Sequence, residues 1–400
     1  MKSPNLYIFN PDHDLALANN DPNYMAPESA RKMAAEMALL PLWYADANDY
    51  VLAPSKYNLV FAEEMRKRFP HLPRLITEKE LSGQSFNIVP WGWNASLKNR
   101  LLKLGVSERL LPPKETLDLI RTYSNRKFAS ALLPKLLMDA NCCGESHYLT
   151  TLEELREFVM QHPDAVLKMP LSGSGKGLCW CKGSFDKPIA NWCINVLKQQ
   201  GGVVAEPMYK KVRDCSMLFY SDKNSVRFYG YSLFVTSNKG VYTGNIQMPD
   251  ELIEKELNTY VAQETLRAVR MAIEKELSLA LPSFYNGFLG VDMMICSASD
   301  NRSTCYLHPC VEINLRTTMG VVAHKICDNY LHPASIGTFQ IDIVKPGVSV
   351  AFNPQEDVEK LPLVYTQEKI KEGSFPLVPV TASSQYAATV VVRSQFPQIH

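Results

Sequence analysis

Short apolar runs alternate with polar breaks through the first hundred residues. Residues 6–9 are apolar and run into Asn10-Pro11-Asp12, the pattern of a strand entering a loop. Residues 28–40 place Ala30, Met33, Ala34, Met37 and Ala38 at the spacing of one helical face. Further strands are predicted at 50–53 and 86–89. Helices are predicted over 59–68 and 96–104, the second stopped by Gly105. Strands alternating with helices predict a small parallel-sheet α/β domain over residues 1–111.

Pro112-Pro113 punctuates the next boundary. Two helices are predicted over 114–122 and 125–138, then a short strand at 148–150. A helix from 152 opens on a capping box, Thr151 with Glu154. A strand at 164–170 exits into Ser172-Gly-Ser-Gly-Lys-Gly177, the most glycine-dense stretch of the chain. From residue 201 the pattern turns β-rich, at 202–207, 215–220 and 226–235. A long amphipathic helix follows at 251–276, then strands at 290–296 and 305–316. The tail carries strands near 338–344 and 388–392. This organisation predicts a two-lobed α+β unit, with a first lobe at 112–200 and a second at 201–330. Residues 331–400 are expected to form an extension packed on the core.

Composition narrows the class. Of 400 residues, 46% are hydrophobic and 21% charged, and the 42 basic and 41 acidic side chains nearly cancel. That balance excludes bulk nucleic-acid or membrane-surface binding and leaves room for a local basic pocket. No apolar run approaches a membrane span, and Asn10, Asp12 and His13 interrupt any signal-peptide core, so a cytoplasmic chain with reduced thiols is expected. The pairs Cys142-Cys143 and Cys179-Trp180-Cys181 lack zinc-knuckle spacing.

Chemistry concentrates in the two late strands. The first carries Gly290-Val-Asp292, the second Val311-Glu312-Ile-Asn314-Leu-Arg316, and residues 297–304 between them read as a hairpin loop. Partner numbers in an antiparallel hairpin sum to a constant, so a turn centred on 302 sets Asp292 opposite Glu312. Alternation puts Glu312, Asn314 and Arg316 on one face, with Val311, Ile313 and Leu315 on the other. Two adjacent carboxylates repel on a half-buried sheet, and a hard cation with oxygen ligands resolves that repulsion. Mg²⁺ held by Asp292, Glu312 and Asn314, with Arg316 as a clamp for phosphate or carboxylate, is the reading of this pattern. A solvent-facing hairpin with scattered charges is the plainer alternative.

Lys168 ends an otherwise apolar strand and is followed at once by the glycine loop, whose Ser172, Gly173, Ser174, Gly175 and Lys176 suit a phosphate cradle. The loop lacks Walker A spacing, and many glycine loops simply turn a hairpin. Downstream, Val203-Val-Ala-Glu206-Pro suits a hinge, though by itself it reads first as an ordinary strand end, with Asp214 eight residues on.

Taken together, the strand lysine, glycine loop, hinge Glu, metal Asp and Glu-x-Asn-x-Arg resemble the ATP-grasp superfamily over residues 112–325, behind a domain resembling the one that commonly precedes the grasp. The resemblance implies an ATP- and Mg²⁺-using carboxylate–amine ligase, with Mn²⁺ as a substitute metal. Its substrates would be a small-molecule carboxylate and an amine, a peptide being one possibility, with no nucleic acid or membrane partner. It implies that Lys127 and Lys168 contact the ATP phosphates, Glu206 and the backbone after it lie at the adenine, and Asp214 reaches the ribose. Asp292, Glu312 and Asn314 would hold the metal, and Arg316 and Lys168 would serve the transferring phosphoryl. Leu315 replaces a proline often found before that Arg. Gly290 stands where some members carry a second Arg, a role that would fall to Lys176 or Arg227. A small-molecule kinase and a non-catalytic nucleotide-binding regulator are the competing functions.

Two features remain. The loop Asn10–Asp14 reads either as acceptor binding at a strand end or as turn and cap chemistry. Trp91 and Trp93 read chiefly as packing.

Overall fold

The computed structural model of the chain describes residues 3–173, 177–236, 241–297, 304–343, 361–381 and 383–393. Three sheets organise it. The first holds β1 (Asn5–Ile8), β2 (Tyr50–Leu52), β3 (Arg74–Ile76) and β4 (Asn87–Pro90), all parallel in the order β3-β2-β1-β4. Both faces of β1 are covered. Leu6 and Ile8 pack with Leu97 and Leu101 of the helix Ala95–Lys103. Phe9 joins Ala62, Met65 and Phe69 on the other side, the first two from the helix Lys56–Arg68. Burial on both faces explains the continuous apolar runs of these strands.

The second sheet comprises β5 (His147–Leu149), β6 (Asp164–Lys168), β7 (Leu178–Lys182) and β8 (Val203–Pro207), in the antiparallel order β5-β8-β6-β7. The helices Leu152–Gln161 and Lys187–Gln200 cover it through Leu155, Phe158, Val159, Cys193 and Val196. The predicted capping box forms, with the Thr151 and Glu154 side chains each accepting from the other's backbone N–H. The helix Lys187–Gln200 was not predicted, although its signals stand in the sequence. Asp186 caps it by accepting from the Ile189 N–H at 3.0 Å, Pro188 follows, and Gly201 closes it at φ +76°, a left-handed cap that suits glycine.

The third sheet has nine strands: β9 (Lys210–Asp222), β10 (Val226–Thr236), β11 (Tyr242–Gln247), β12 (Asn286–Ser297), β13 (Cys305–Asn314), β14 (Ile336–Ile343), β15 (Val364–Thr366), β16 (Lys369–Pro376) and β17 (Tyr386–Arg393). Its order is β13-β12-β9-β10-β11-β14-β17-β16-β15, antiparallel throughout. The single long helix expected at 251–276 is two, Asp250–Leu257 and Gln263–Ala280. The break falls at Asn258, Thr259 and Val261, weak helix formers, and the Thr259 hydroxyl donates to the Glu256 carbonyl.

One core crosses the molecule. Trp43, Phe69 and Val51 of the N-terminal domain pack with Ile326 of the helix Met319–Tyr330 and with Phe339, Phe375 and Val390 of the tail strands. The Trp43 indole N–H donates to the Leu377 carbonyl at 2.7 Å. The tail therefore extends the large sheet and anchors the first domain to it. Trp91 meets Phe9 edge-on at 5.1 Å, and Trp93 packs against two cores, so both tryptophans serve packing.

Candidate functional site

The hairpin of β12 and β13 takes the register expected from numbering. Asp292 pairs with Glu312, Gly290 with Asn314, and the chain folds Val291, Met293, Ile295, Ile313 and Leu315 into the core on the far face. The turn itself lies outside the described residues. Register shifts between Asp292 and Met294, whose partner is His308, so two extra residues of β13 bulge next to the carboxylates. Pro309 sits in that bulge, on the end strand of the sheet, where a missing N–H is tolerated.

Around the carboxylate pair the chain assembles side chains from distant elements. Asn314 donates to Asp292 at 3.0 Å and accepts from Arg316 at 2.9 Å. Arg316 grips both oxygens of Asp14, at 3.0 and 2.9 Å. On the other side, Arg126 donates to Glu312 at 2.8 Å, to the Ser172 hydroxyl at 2.8 Å and to the Met169 carbonyl at 2.7 Å. Its own backbone N–H donates to the Pro170 carbonyl. Gly173 lies against Asp14, since a Cβ there would stand 3.4 Å from an Asp14 carboxylate oxygen. A continuous polar network thus runs Asp14–Arg316–Asn314–Asp292, crosses the strand pair to Glu312, and continues through Arg126 to the mouth of the glycine loop.

Electrostatics follow from burial and neighbours. Asp292 is pushed up to about 7, first by burial and then by the Glu312 carboxylate. Burial would also raise Asp14, but Arg316 and His13 outweigh it and hold its carboxyl below the usual range. Burial pushes His13 down to about 4, leaving a neutral imidazole at pH 7. Among the described residues no lysine, arginine or histidine forms an ion pair with Asp292.

The other sequence-predicted residues fall as follows. Lys168 and Glu206, both buried, form an ion pair at 2.5 Å across β6 and β8, and Glu206 also accepts from Ser146 at 3.0 Å. Lysine has three N–H donors, so two remain for another anion. The Met208 N–H just past Glu206 is taken by the Asp164 carbonyl. Asp214 accepts from Lys211 at 2.6 Å and from Thr236 at 2.7 Å. Ser172 and Gly173 lie at the network's edge, while Ser174, Gly175 and Lys176 fall outside the described residues. Arg227 turns to Asp222 and Ser225, with its side chain 74% exposed.

Lys127 is exposed, its ammonium 4.8 Å from the centre of the Tyr148 ring. The residue before it, Arg126, is the one that reaches Glu312. A sequence signal for this existed. Arg126 is in helical phase with Ala129, Ser130 and Leu133, all buried, whereas Lys127 is not. Asp14 was passed over as a partner of Arg316 because no local pattern ties residues so far apart.

No family model matches the chain, and no curated protein matches it in sequence. Solved structures are similar in fold. Biotin carboxylase from Campylobacter jejuni, in a β,γ-ATP complex, aligns over 98% of this chain and 87% of that one, at 12% identity and a TM-score of 0.51. N5-carboxyaminoimidazole synthetase from Staphylococcus aureus, complexed with ADP, covers 98% of this chain and 94% of its own at 13% identity, with a TM-score of 0.47. L-amino acid ligase from Bacillus licheniformis covers 99% and 95% at 11% identity, with a TM-score of 0.42. Identities this low speak to fold alone, and the biotin carboxylase alignment carries that statement. The chain has the ATP-grasp fold, two α+β lobes behind an N-terminal parallel-sheet domain.

Proposed function

We propose that the chain is an ATP-dependent ligase that joins a carboxylate to an amine through an acyl-phosphate. The observation that carries this reading is the Asp292/Glu312 pair, backed by Asn314 and flanked by Arg126 and Arg316, where the late hairpin meets the helix Arg126–Leu132, the start of the glycine loop and Asp14 of the N-terminal domain.

The residues fit a magnesium ion. Among the described residues no group of three or more His, Cys, Asp and Glu side chains gathers as a metal site, and this cluster has two carboxylates and an amide. Mg²⁺ keeps several waters and takes substrate phosphates, so one or two carboxylates suffice. Asp292, raised to about 7 and without an ion-pair partner among the described residues, is the carboxylate a cation would most stabilise. Asp292, Glu312 and Asn314 would hold the ion, which would neutralise charge on the triphosphate when bound.

The remaining roles belong to the chain's own side chains. Arg126, Lys168 and the glycine loop from Ser172 to Gly177 hold the phosphates, with Arg126 fixed by Glu312 and by the Met169 and Pro170 carbonyls. Glu206 keeps the Lys168 ammonium aligned, and the hinge after β8 borders the base. Arg316 faces the γ-phosphoryl as it passes to a substrate carboxylate oxygen, releasing ADP. An amine then attacks the acyl carbon, phosphate leaves, and the amine gives up a proton. No nucleophilic side chain is required, because positioning and charge neutralisation do the chemistry.

A screen of amino acids, peptides and organic acids for ADP release, with mass detection of products, tests this reading. An amide product with ADP and free phosphate is expected. A stable phosphorylated product would instead make the chain a kinase. ATP binding without turnover on any pool would make it a regulator and sink the ligase assignment.

A further inference from the structure

Asp14 and Arg316 are 302 residues apart in sequence and meet in a bidentate ion pair. Their side chains are 21% and 16% exposed, so the pair is largely shielded from water. Both sides are braced against the same turn. Asn10 donates to the Gly92 carbonyl at 2.8 Å. His13 packs on Gly92 so closely that a Cβ there would stand 2.6 Å from its ring. On the other side, the Thr317 N–H donates to the Trp91 carbonyl at 2.9 Å. The turn after β4 therefore sets the distance between the first helix of the N-terminal domain and the segment leaving β13.

The Asp14 carboxylate gives both oxygens to one guanidinium, which matches its charge and orients it toward Arg316. It is also next to Gly173, at the entrance of the glycine loop, where an uncommitted carboxylate would repel phosphate. Arg316 in turn is fixed on three sides, by Asp14, by Asn314 at 2.9 Å and by the Thr317 carbonyl at 3.3 Å. A planar fork held bidentately loses its freedom to swing away.

We propose that Asp14 is a positioning residue, through which the N-terminal domain holds Arg316 at the transferring phosphoryl. This rests on the role given to Arg316 above. The N-terminal domain is then part of the phosphoryl site.

The test compares affinities for ADP and for the β,γ-imido analogue of ATP, by calorimetry on the full chain with magnesium. Asp14→Asn keeps the side-chain volume and removes the charge, and Asp14→Ser serves if the first variant does not fold. Either variant is expected to cut the preference for the triphosphate about tenfold, with ADP affinity within about twofold of wild type. Arg316→Gln is expected to cut it as much, and the double variant no further. Equal weakening of both nucleotides, an additive double variant, or an unchanged preference overturns the positioning role alone. A wild-type chain that binds neither nucleotide overturns the functional reading and this proposal with it.

Discussion

Two charge clusters in this chain are built on opposite plans. Lys168 and Glu206 sit on adjacent strands of the small sheet, one cation to one carboxylate, with side chains 7% and 5% exposed. The Asp292/Glu312 cluster draws on the first helix, the helix Arg126–Leu132, the glycine loop and the late hairpin. Its carboxylates are partly exposed, Glu312 to 25%, and among the described residues Asp292 has no ion-pair partner. The first cluster is internally balanced and holds a local sheet together. The second is balanced only by parts of the chain that must first come together, and Asp292 within it is where the proposed cation would act. The difference separates a lysine whose charge is matched by a strand neighbour, with N–H donors to spare, from a carboxylate that no neighbouring cation matches.

The largest effect expected from this contrast is on stability. Lys168→Met should cost about 3–5 kcal/mol, because it strands the Glu206 carboxylate in the interior. Urea unfolding measures it, and the double variant Lys168→Met/Glu206→Leu should recover most of the loss. A single variant as stable as wild type would show that the pair is not closed in the way described.

Arg126→Gln should act on the other cluster. It should cost roughly 1–3 kcal/mol of folding stability and weaken Mg·ATP about tenfold or more, while Lys127→Gln stays within about twofold. Equal effects from the two variants, in titration calorimetry, would erase the distinction drawn between these neighbours.

A smaller effect belongs to a histidine between two aspartates, outside both clusters. His324 lies 3.2 Å from Asp250 and 3.1 Å from Asp328. Burial alone would lower it, but the two aspartates raise it to about 9. A raised folded value means the stabilisation is complete below the unfolded value of about 6.5 and is lost as pH rises toward 9. Stability should therefore fall by roughly 1–3 kcal/mol between pH 6.5 and 9, and His324→Asn should flatten that slope. An unchanged slope in the variant would remove His324 from the account.

Much of the fold was legible where period and punctuation agreed. Strand β1, the capping box at Thr151 and the Asp292/Glu312 register follow from local rules applied to nearby residues. The missed elements have physical reasons. Strand β7 follows the glycine loop directly, so the loop's punctuation masked it. The helix Met319–Tyr330 is buried on much of its surface, through Val321, Val322, Ala323, Ile326 and Cys327, and so lacks a clear polar stripe. At the site, the strand residues were readable because alternation assigns their faces. Arg126 required the phase of a short helix. Asp14 required knowledge of how the first domain docks, which depends on a core shared with residues beyond 319 and is invisible to any local window.

The central claim is that the carboxylate pair holds a nucleotide through a divalent cation, and Glu312→Ala tests it most directly. Calorimetric titration of ATP, with and without magnesium, should show wild-type binding that depends on the metal. The variant should lose about hundredfold or more in Mg·ATP affinity while its circular dichroism stays native. Mg·ATP binding by a folded Glu312→Ala chain at wild-type strength would contradict the account.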